Sequence, residues 1–191
     1  MSAPERVEAA RRSAECVYPA AEVIAAVDRL AVRLTVALAD ENPLLLCVLN
    51  GGLPFTGALM QRLQFPLTLS YVHVGRYGDA ILGGELTWHA RPQEDLSGRH
   101  VLLIDDILDE GVTLAALEDW CRCEGASAVT TAVLLEKGAG GRATFAALPC
   151  PDRYVFGWGM DFEGYWRNLP DIYALDASLK KTPNKSLDEE G

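Results

Sequence analysis

The chain has 191 residues, 49% apolar and 23% charged, which suits one globular domain with a core of its own. Acidic residues outnumber basic ones 27 to 17, a balance that argues against broad capture of nucleic acid or anionic membrane but allows a local basic pocket. Cys16, Cys47, Cys121, Cys123 and Cys150 show no CxxC spacing and His73, His89 and His100 are scattered, so neither a disulfide framework nor a zinc site is indicated.

The opening segment MSAPERVEAARR is charged and has no apolar signal core. From Glu22 to Ala39, Val23, Val27, Leu30, Leu34 and Leu38 recur at helical spacing, predicting an amphipathic helix with Arg29 and Arg33 outward. Leu44–Leu49 is the longest uninterrupted apolar run and is too short to span a membrane. It reads as a buried strand running into the turn Asn50-Gly51-Gly52. Pro54 then suits the first turn of a helix carrying Leu59, Met60 and Leu63.

Leu67–Val74 alternates and predicts a strand, residues Arg76–Gly84 a long exposed glycine-containing loop, and Glu85–His89 a return strand. Leu96-Ser97-Gly98 is a turn before the apolar strand His100–Ile104. Leu114, Leu117 and Cys121 restore helical period, with Gly125 as the C-terminal stop. Ala128–Leu135 and Tyr154–Trp158 read as further strands. Residues 1–179 read as one domain and 180–191, KKTPNKSLDEEG, as a polar tail. Strands alternating with helices, and written as continuous apolar runs, imply a mostly parallel α/β sheet covered on both faces. Ligands of such sheets bind beyond the carboxyl ends of the strands. The chain reads as cytoplasmic.

The segment VLLIDDILDEGVTL, residues 101–114, carries the most chemistry. An apolar strand delivers Asp105 and Asp106, and the chain crosses Asp109, Glu110 and Gly111 into a helix. Free amides and the positive dipole end at that helix start make a phosphate seat, to which Thr113 adds a hydroxyl. The neighbouring carboxylates suit sugar hydroxyls or a hard cation such as magnesium. No GxxxxGK[ST] occurs, which removes the ordinary nucleotide triphosphatases, and no GxGxxG follows a strand.

This segment resembles the 5-phosphoribosyl-1-diphosphate (PRPP) signature of the type I phosphoribosyltransferases. LCVLNGGLPF at 46–55, LLEK at 134–137 and YVFGWGMDFEGYWRNLPDIYAL at 154–175 resemble the hypoxanthine-guanine branch. The resemblance implies the type I phosphoribosyltransferase fold, a mostly parallel sheet with helices on both faces plus a small hood. It also implies transfer of a 5-phosphoribosyl group from PRPP to a 6-oxopurine base with magnesium as cofactor. Homodimers or homotetramers are the implied assembly, and neither nucleic acid nor membrane is an implied partner.

By the same resemblance, Asp105 and Asp106 hold the ribose hydroxyls, partly through Mg2+. Asp109 is the general acid/base at purine N7, and Asp109, Glu110, Gly111, Val112 and Thr113 seat the 5′-phosphate. Asn50, Gly51 and Gly52 match the pyrophosphate loop, which in the family carries a non-proline cis peptide before its first glycine. Asn50 stands where many relatives have lysine, and Val112 where many have a polar residue. Arg167 reaches pyrophosphate, and Arg76 is a further candidate for that group. Lys137 donates to the 6-oxo oxygen, Tyr154 stacks on the purine, and backbone carbonyls near Val155 and Asp161 face its 2-position. Asp161 also lies near a second magnesium. Arg76-Tyr77 opens a loop that closes over the reaction. Two other readings compete. A non-catalytic PRPP sensor would need a DNA-binding domain or a basic face, and a phosphorylation receiver would place its acid pair after the first strand.

Overall fold

A computed structural model describes residues 2–76, 86–138 and 142–175, with the side chain of Arg76 left out. In chain order the elements are α1 (Ala3–Ser13), β1 (Glu15–Tyr18), α2 (Ala20–Leu38), β2 (Leu44–Leu49), α3 (Leu53–Met60), β3 (Thr68–Arg76), β4 (Leu86–Ala90), β5 (His100–Leu108), α4 (Val112–Cys123), β6 (Ala128–Lys137), β7 (Phe145–Cys150), β8 (Val155–Phe156) and β9 (Ile172–Ala174).

Among the described residues, the main sheet has six strands in the order β4-β3-β2-β5-β6-β7. Every pairing in it is parallel except β3 with β4. Side-chain alternation sorts the apolar residues of the central strands onto two faces. Leu45, Leu102 and Ile104 pack under α2 and α3, whereas Leu44, Leu46, Val101 and Leu103 pack under Leu114, Leu117 and Cys121 of α4. The helical period of α2 places Val23, Val27, Leu30, Leu34 and Leu38 against the sheet and leaves Arg29 and Arg33 exposed. Gly125 follows the end of α4 at φ +87°, as a left-handed helix stop requires.

A second, three-stranded antiparallel sheet, β1-β9-β8, forms the hood. The stretch Tyr154–Trp158, expected as a short strand, belongs to this sheet, with only Val155–Phe156 as strand, antiparallel to β9. α1, β1, β7 and β9 are elements that the apolar pattern does not announce. β7 is alanine-rich and contains Pro149, which has no amide hydrogen and is tolerated because β7 is a sheet edge. Leu63, expected within α3, lies just past its end and is nonetheless buried. Tyr77, the rest of the expected lid, residues 176–179 and the tail 180–191 lie outside the described residues.

Candidate active site

The cleft opens where β2 and β5 part. Their pairing ends at Cys47 opposite Ile104, while β5 continues beside β6 through Leu108 opposite Glu136. Asp105 and Asp106 therefore sit inside β5, not beyond its end as the apolar run Val101–Ile104 suggests. On the side that β2 vacates, the chain turns through Asn50-Gly51-Gly52 into α3. The cleft so formed has a volume of about 270 Å³ and is lined by Asn50, Gly51, Asp105, Asp106, Asp109, Gly111, Thr113 and Arg167, with Val48, Leu49, Val74, Ile107, Leu108 and Leu114 as its apolar wall.

Glycine is required in this turn by contact. A Cβ on Gly51 would stand 1.9 Å from an Asp106 carboxylate oxygen, and one on Gly52 would stand 2.7 Å from the carbonyls of Ile104 and Val48. The Leu49–Asn50 peptide is cis, one bond ahead of the peptide directly before Gly51. The Gly52 amide donates to the Val48 carbonyl, and its carbonyl accepts from the amide and hydroxyl of Thr56. Gly52 thus shapes the loop from inside, with its amide engaged by the Val48 carbonyl. Asn50 and Gly51 are the loop residues that face the cleft.

Each acid of the pair is held by the backbone beside it. Asp105 Oδ1 accepts from the Asp106 amide at 2.9 Å, and Asp106 Oδ1 from the Ile107 amide at 2.8 Å. Although Asp106 keeps part of its surface in the cleft, the protein crowds it, and burial pushes its carboxyl above the usual range. Hydrogen bonding with Asp105, the Ile107 amide and the charge of Arg167 oppose that push.

Beyond the strand, Gly111 caps α4 at φ +76°, a left-handed turn that glycine adopts without steric cost. Glycine has no side chain to satisfy the first amides of the helix, so Val112 and Thr113 begin a helix whose amide end faces the cleft. Glu110 lies exposed beside this seat.

Lys137 ends β6, the strand hydrogen-bonded to β5, and its Nζ donates to Asp109 Oδ2 at 3.0 Å. The ammonium carries three donors, so the pair leaves it capable of a further hydrogen bond. Neither sequence spacing nor residue type announces this ion pair across 28 positions; it arises because parallel neighbours β5 and β6 end at the same level.

The third side of the site comes from the hood. Arg167 Nη1 donates to the Gly159 carbonyl at 2.6 Å, and Nη2 lies 2.6 Å from Asp161 Oδ1. Gly159, which sequence reasoning passed over, rests on the loop below: a Cβ there would come 1.9 Å from the Gly51 carbonyl. Its only signal in the sequence is its place in the string Gly157-Trp158-Gly159. Tyr154, 41% exposed, donates its hydroxyl to the Asp161 carbonyl at 2.8 Å, and burial followed by the Asp161 charge pushes its phenol pKa up. The Val155 side chain is buried in the core, leaving only its backbone for a ligand. Lys137, Tyr154 and Asp161 do not line the cleft itself but are tied to its wall through Asp109 and Arg167. β3 ends at Arg76, whose side chain, like Tyr77, lies outside what is described.

Among the described residues no three His, Cys, Asp or Glu side chains converge into a protein-built metal cage, and Asp161 is engaged by Arg167. Magnesium is commonly held by one or two carboxylates together with substrate phosphates, and the all-oxygen pair Asp105 and Asp106 beside the amide end of α4 fits that pattern. No helix among the described residues is long and apolar enough to cross a membrane.

Residues 13–162 match the phosphoribosyl transferase domain family. The chain is 32% identical to a hypoxanthine-guanine phosphoribosyltransferase of Streptococcus pneumoniae over 81% of its own length and 88% of the relative's. It is 33% identical to the hypoxanthine-guanine phosphoribosyltransferase of Bacillus subtilis, over 83% and 91%. In fold it resembles the crystal structure of a hypoxanthine phosphoribosyltransferase from Staphylococcus aureus, with a TM-score of 0.83 at 22% identity, covering 90% of this chain and 96% of that one.

Proposed function

The chain belongs to the phosphoribosyltransferase family, and from that premise we propose that it salvages purines by moving the 5-phosphoribosyl group of PRPP onto hypoxanthine or guanine, giving IMP or GMP and pyrophosphate. The observation that carries the reading is the convergence on one cleft of the Asp105–Asp106 pair, the amide end of α4, and Asp109 with Lys137 ion-paired to it from beside the cleft. A sugar phosphate needs the first two, and the edge of a 6-oxopurine needs the third.

The residues divide the work as follows. Gly111, Val112 and Thr113 hold the 5′-phosphate at the amide end of α4, with Glu110 shaping the turn. Asp105 and Asp106 hold the ribose hydroxyls. Asn50 and Gly51 from below and Arg167 from above face the pyrophosphate. Lys137 donates to the 6-oxo oxygen, and Asp109, its ion-pair partner, accepts the hydrogen on N7, the neighbouring position on that edge of the base. Tyr154 stacks on the ring, and the backbone at Val155 and Asp161 faces the 2-position.

In the reaction N9 of the base forms a bond to the anomeric carbon as the bond from that carbon to pyrophosphate breaks with its electron pair. Positive charge builds on the sugar, and the proton on N7 passes to the Asp109 carboxylate. The protein contributes chiefly by holding the two substrates in line. Asp105 and Asp106, together with the substrate, would hold magnesium, which would supply charge to offset that gathering on the leaving group. Asp161 is the candidate for contact with a second ion. The protein works in the cytoplasm as a homodimer or homotetramer.

The test is direct. Purified protein with Mg2+, PRPP and each of hypoxanthine, guanine, xanthine and adenine is assayed for nucleotide by chromatography. IMP and GMP formation supports the reading. PRPP binding without turnover on any base would instead favour a non-catalytic sensor on the same fold.

A further inference from the structure

The N-terminal helix α1 docks on the hood loop one residue away from Arg167. Trp166 Nε1 donates to the Val7 carbonyl at 2.8 Å, and the Arg11 guanidinium lies 5.8 Å from the Trp166 ring centroid. Val7 is 1% exposed, and Ala10 packs with Phe156, Leu175, Leu169, Tyr173 and Trp166 in a cluster of its own. Arg6 adds an exposed ion pair to Glu163 at 3.2 Å. A complete capping box starts the helix, with Ser2 and Glu5 satisfying each other's amides, and this local order makes α1 a firm support.

Trp166 itself stands at φ +70°, a region that a bulky side chain occupies only where its surroundings hold it. The next residue, Arg167, contacts Gly159 and Asp161, and Gly159 sits on the Gly51 carbonyl. A continuous line of contacts therefore runs from α1 through Trp166 to the cleft. Both ends of its first link, Val7 and Trp166, lie outside the 13–162 family match.

We propose that Trp166, latched to α1, is a positioning residue that sets the pose of the Arg167 guanidinium and through it the affinity for the diphosphate end of PRPP. The effect falls first on that substrate because Arg167 is the group the latch bears on, whereas the purine contact Lys137 is anchored on β6 of the main sheet and Tyr154 and Asp161 feel the latch through Arg167. The inference rests on the phosphoribosyl-transfer reading.

The experiment measures PRPP binding by calorimetry with Mg2+ and no base, for wild type, Trp166→Phe, Arg167→Ala and the double variant. Trp166→Phe keeps a ring but removes the hydrogen bond to Val7. It is expected to weaken PRPP binding about threefold to tenfold, the span of one lost intramolecular hydrogen bond. In the Arg167→Ala background the same change should have less than a twofold effect, because the group it positions is gone. The KM for hypoxanthine should move less than the PRPP affinity does. If Trp166→Phe fails to fold, Val7→Ala, which keeps the carbonyl but thins the buried packing that seats α1 against Trp166, takes its place in the cycle. Unchanged PRPP affinity, or an equal loss in both backgrounds, overturns the proposal. A wild-type protein that does not bind PRPP at all removes the functional reading and this inference with it.

Discussion

Replacing Lys137 with glutamine separates what the lysine does for the fold from what it does for the base. Its pair with Asp109 spans 3.0 Å, but Asp109 is 55% exposed and water screens the attraction. Such a pair contributes at most about 1 kcal/mol, so Lys137→Gln should lower the melting temperature by only about 2–4 °C. Base selection should respond far more. A hydrogen bond from a charged donor contributes about 1.5–3 kcal/mol, so efficiency with hypoxanthine should fall roughly 10- to 150-fold. In the wild type, adenine sets its amino group against the ammonium, donor against donor. With each unpaired polar group costing about 1–3 kcal/mol, adenine should run roughly 10²–10⁴ below the oxopurines. Xanthine should fall between, its 2-oxo group repelled by the backbone carbonyls. A glutamine amide can turn its carbonyl toward adenine, so the adenine-to-hypoxanthine ratio should rise at least about tenfold, given the magnitudes above. The assay is kcat/KM for all four bases in both proteins, with melting curves alongside. A variant that loses oxopurine efficiency while this ratio stays fixed would refute the placement of Lys137 at the 6-position.

Asp109→Asn should lower turnover by about 10²–10⁴ with little change in PRPP binding, while Asp106→Asn should weaken PRPP binding first; interchanged signatures in steady-state kinetics would contradict the division of roles. Thorough chelation should abolish activity and added Mg2+ restore it, since the candidate ligands are all hard oxygen donors. Gly51→Ala puts a methyl where the Asp106 carboxylate now lies, 1.9 Å from its oxygen. Calorimetry should show at least about tenfold weaker PRPP binding, and melting a stability loss of about 1–3 kcal/mol. Burial pushes the Cys121 thiol up to about 12 and the Cys150 thiol up to about 11. Both are therefore protonated below those values, so at pH 8 exposed Cys123 should alkylate well before either, as peptide mass mapping would reveal.

Apolar period and punctuation are enough to place α2, β2, β5, α4 and β6, because each of these elements buries an uninterrupted stripe or run and ends within two residues of a glycine or an acid. The elements that escape such reading are short or compromised. β1 and β9 depend on each other's hydrogen bonds, and β7 carries Pro149 on a sheet edge. The segment Val155–Phe156 is apolar enough for a central strand, yet it joins the hood because β9 returns beside it.

The site divides along the same line. Residue types at close spacing determined the proposed phosphate seat and the acid pair, since Asp105, Asp106, Asp109, Gly111 and Thr113 all lie on one strand-to-helix crossing whose geometry is local. Resemblance to relatives named Lys137, Tyr154, Asp161 and Arg167, but not how they stand to one another. Tertiary structure alone decided that Lys137 pairs with Asp109, that Gly51 must lack a side chain because Asp106 fills its space, and that Gly159 seats the hood on the glycine loop. The reason is physical. Local chain geometry sets where backbone amides and neighbouring carboxylates point, whereas contacts between residues far apart in sequence exist only once β2 and β5 part and the hood closes over the gap.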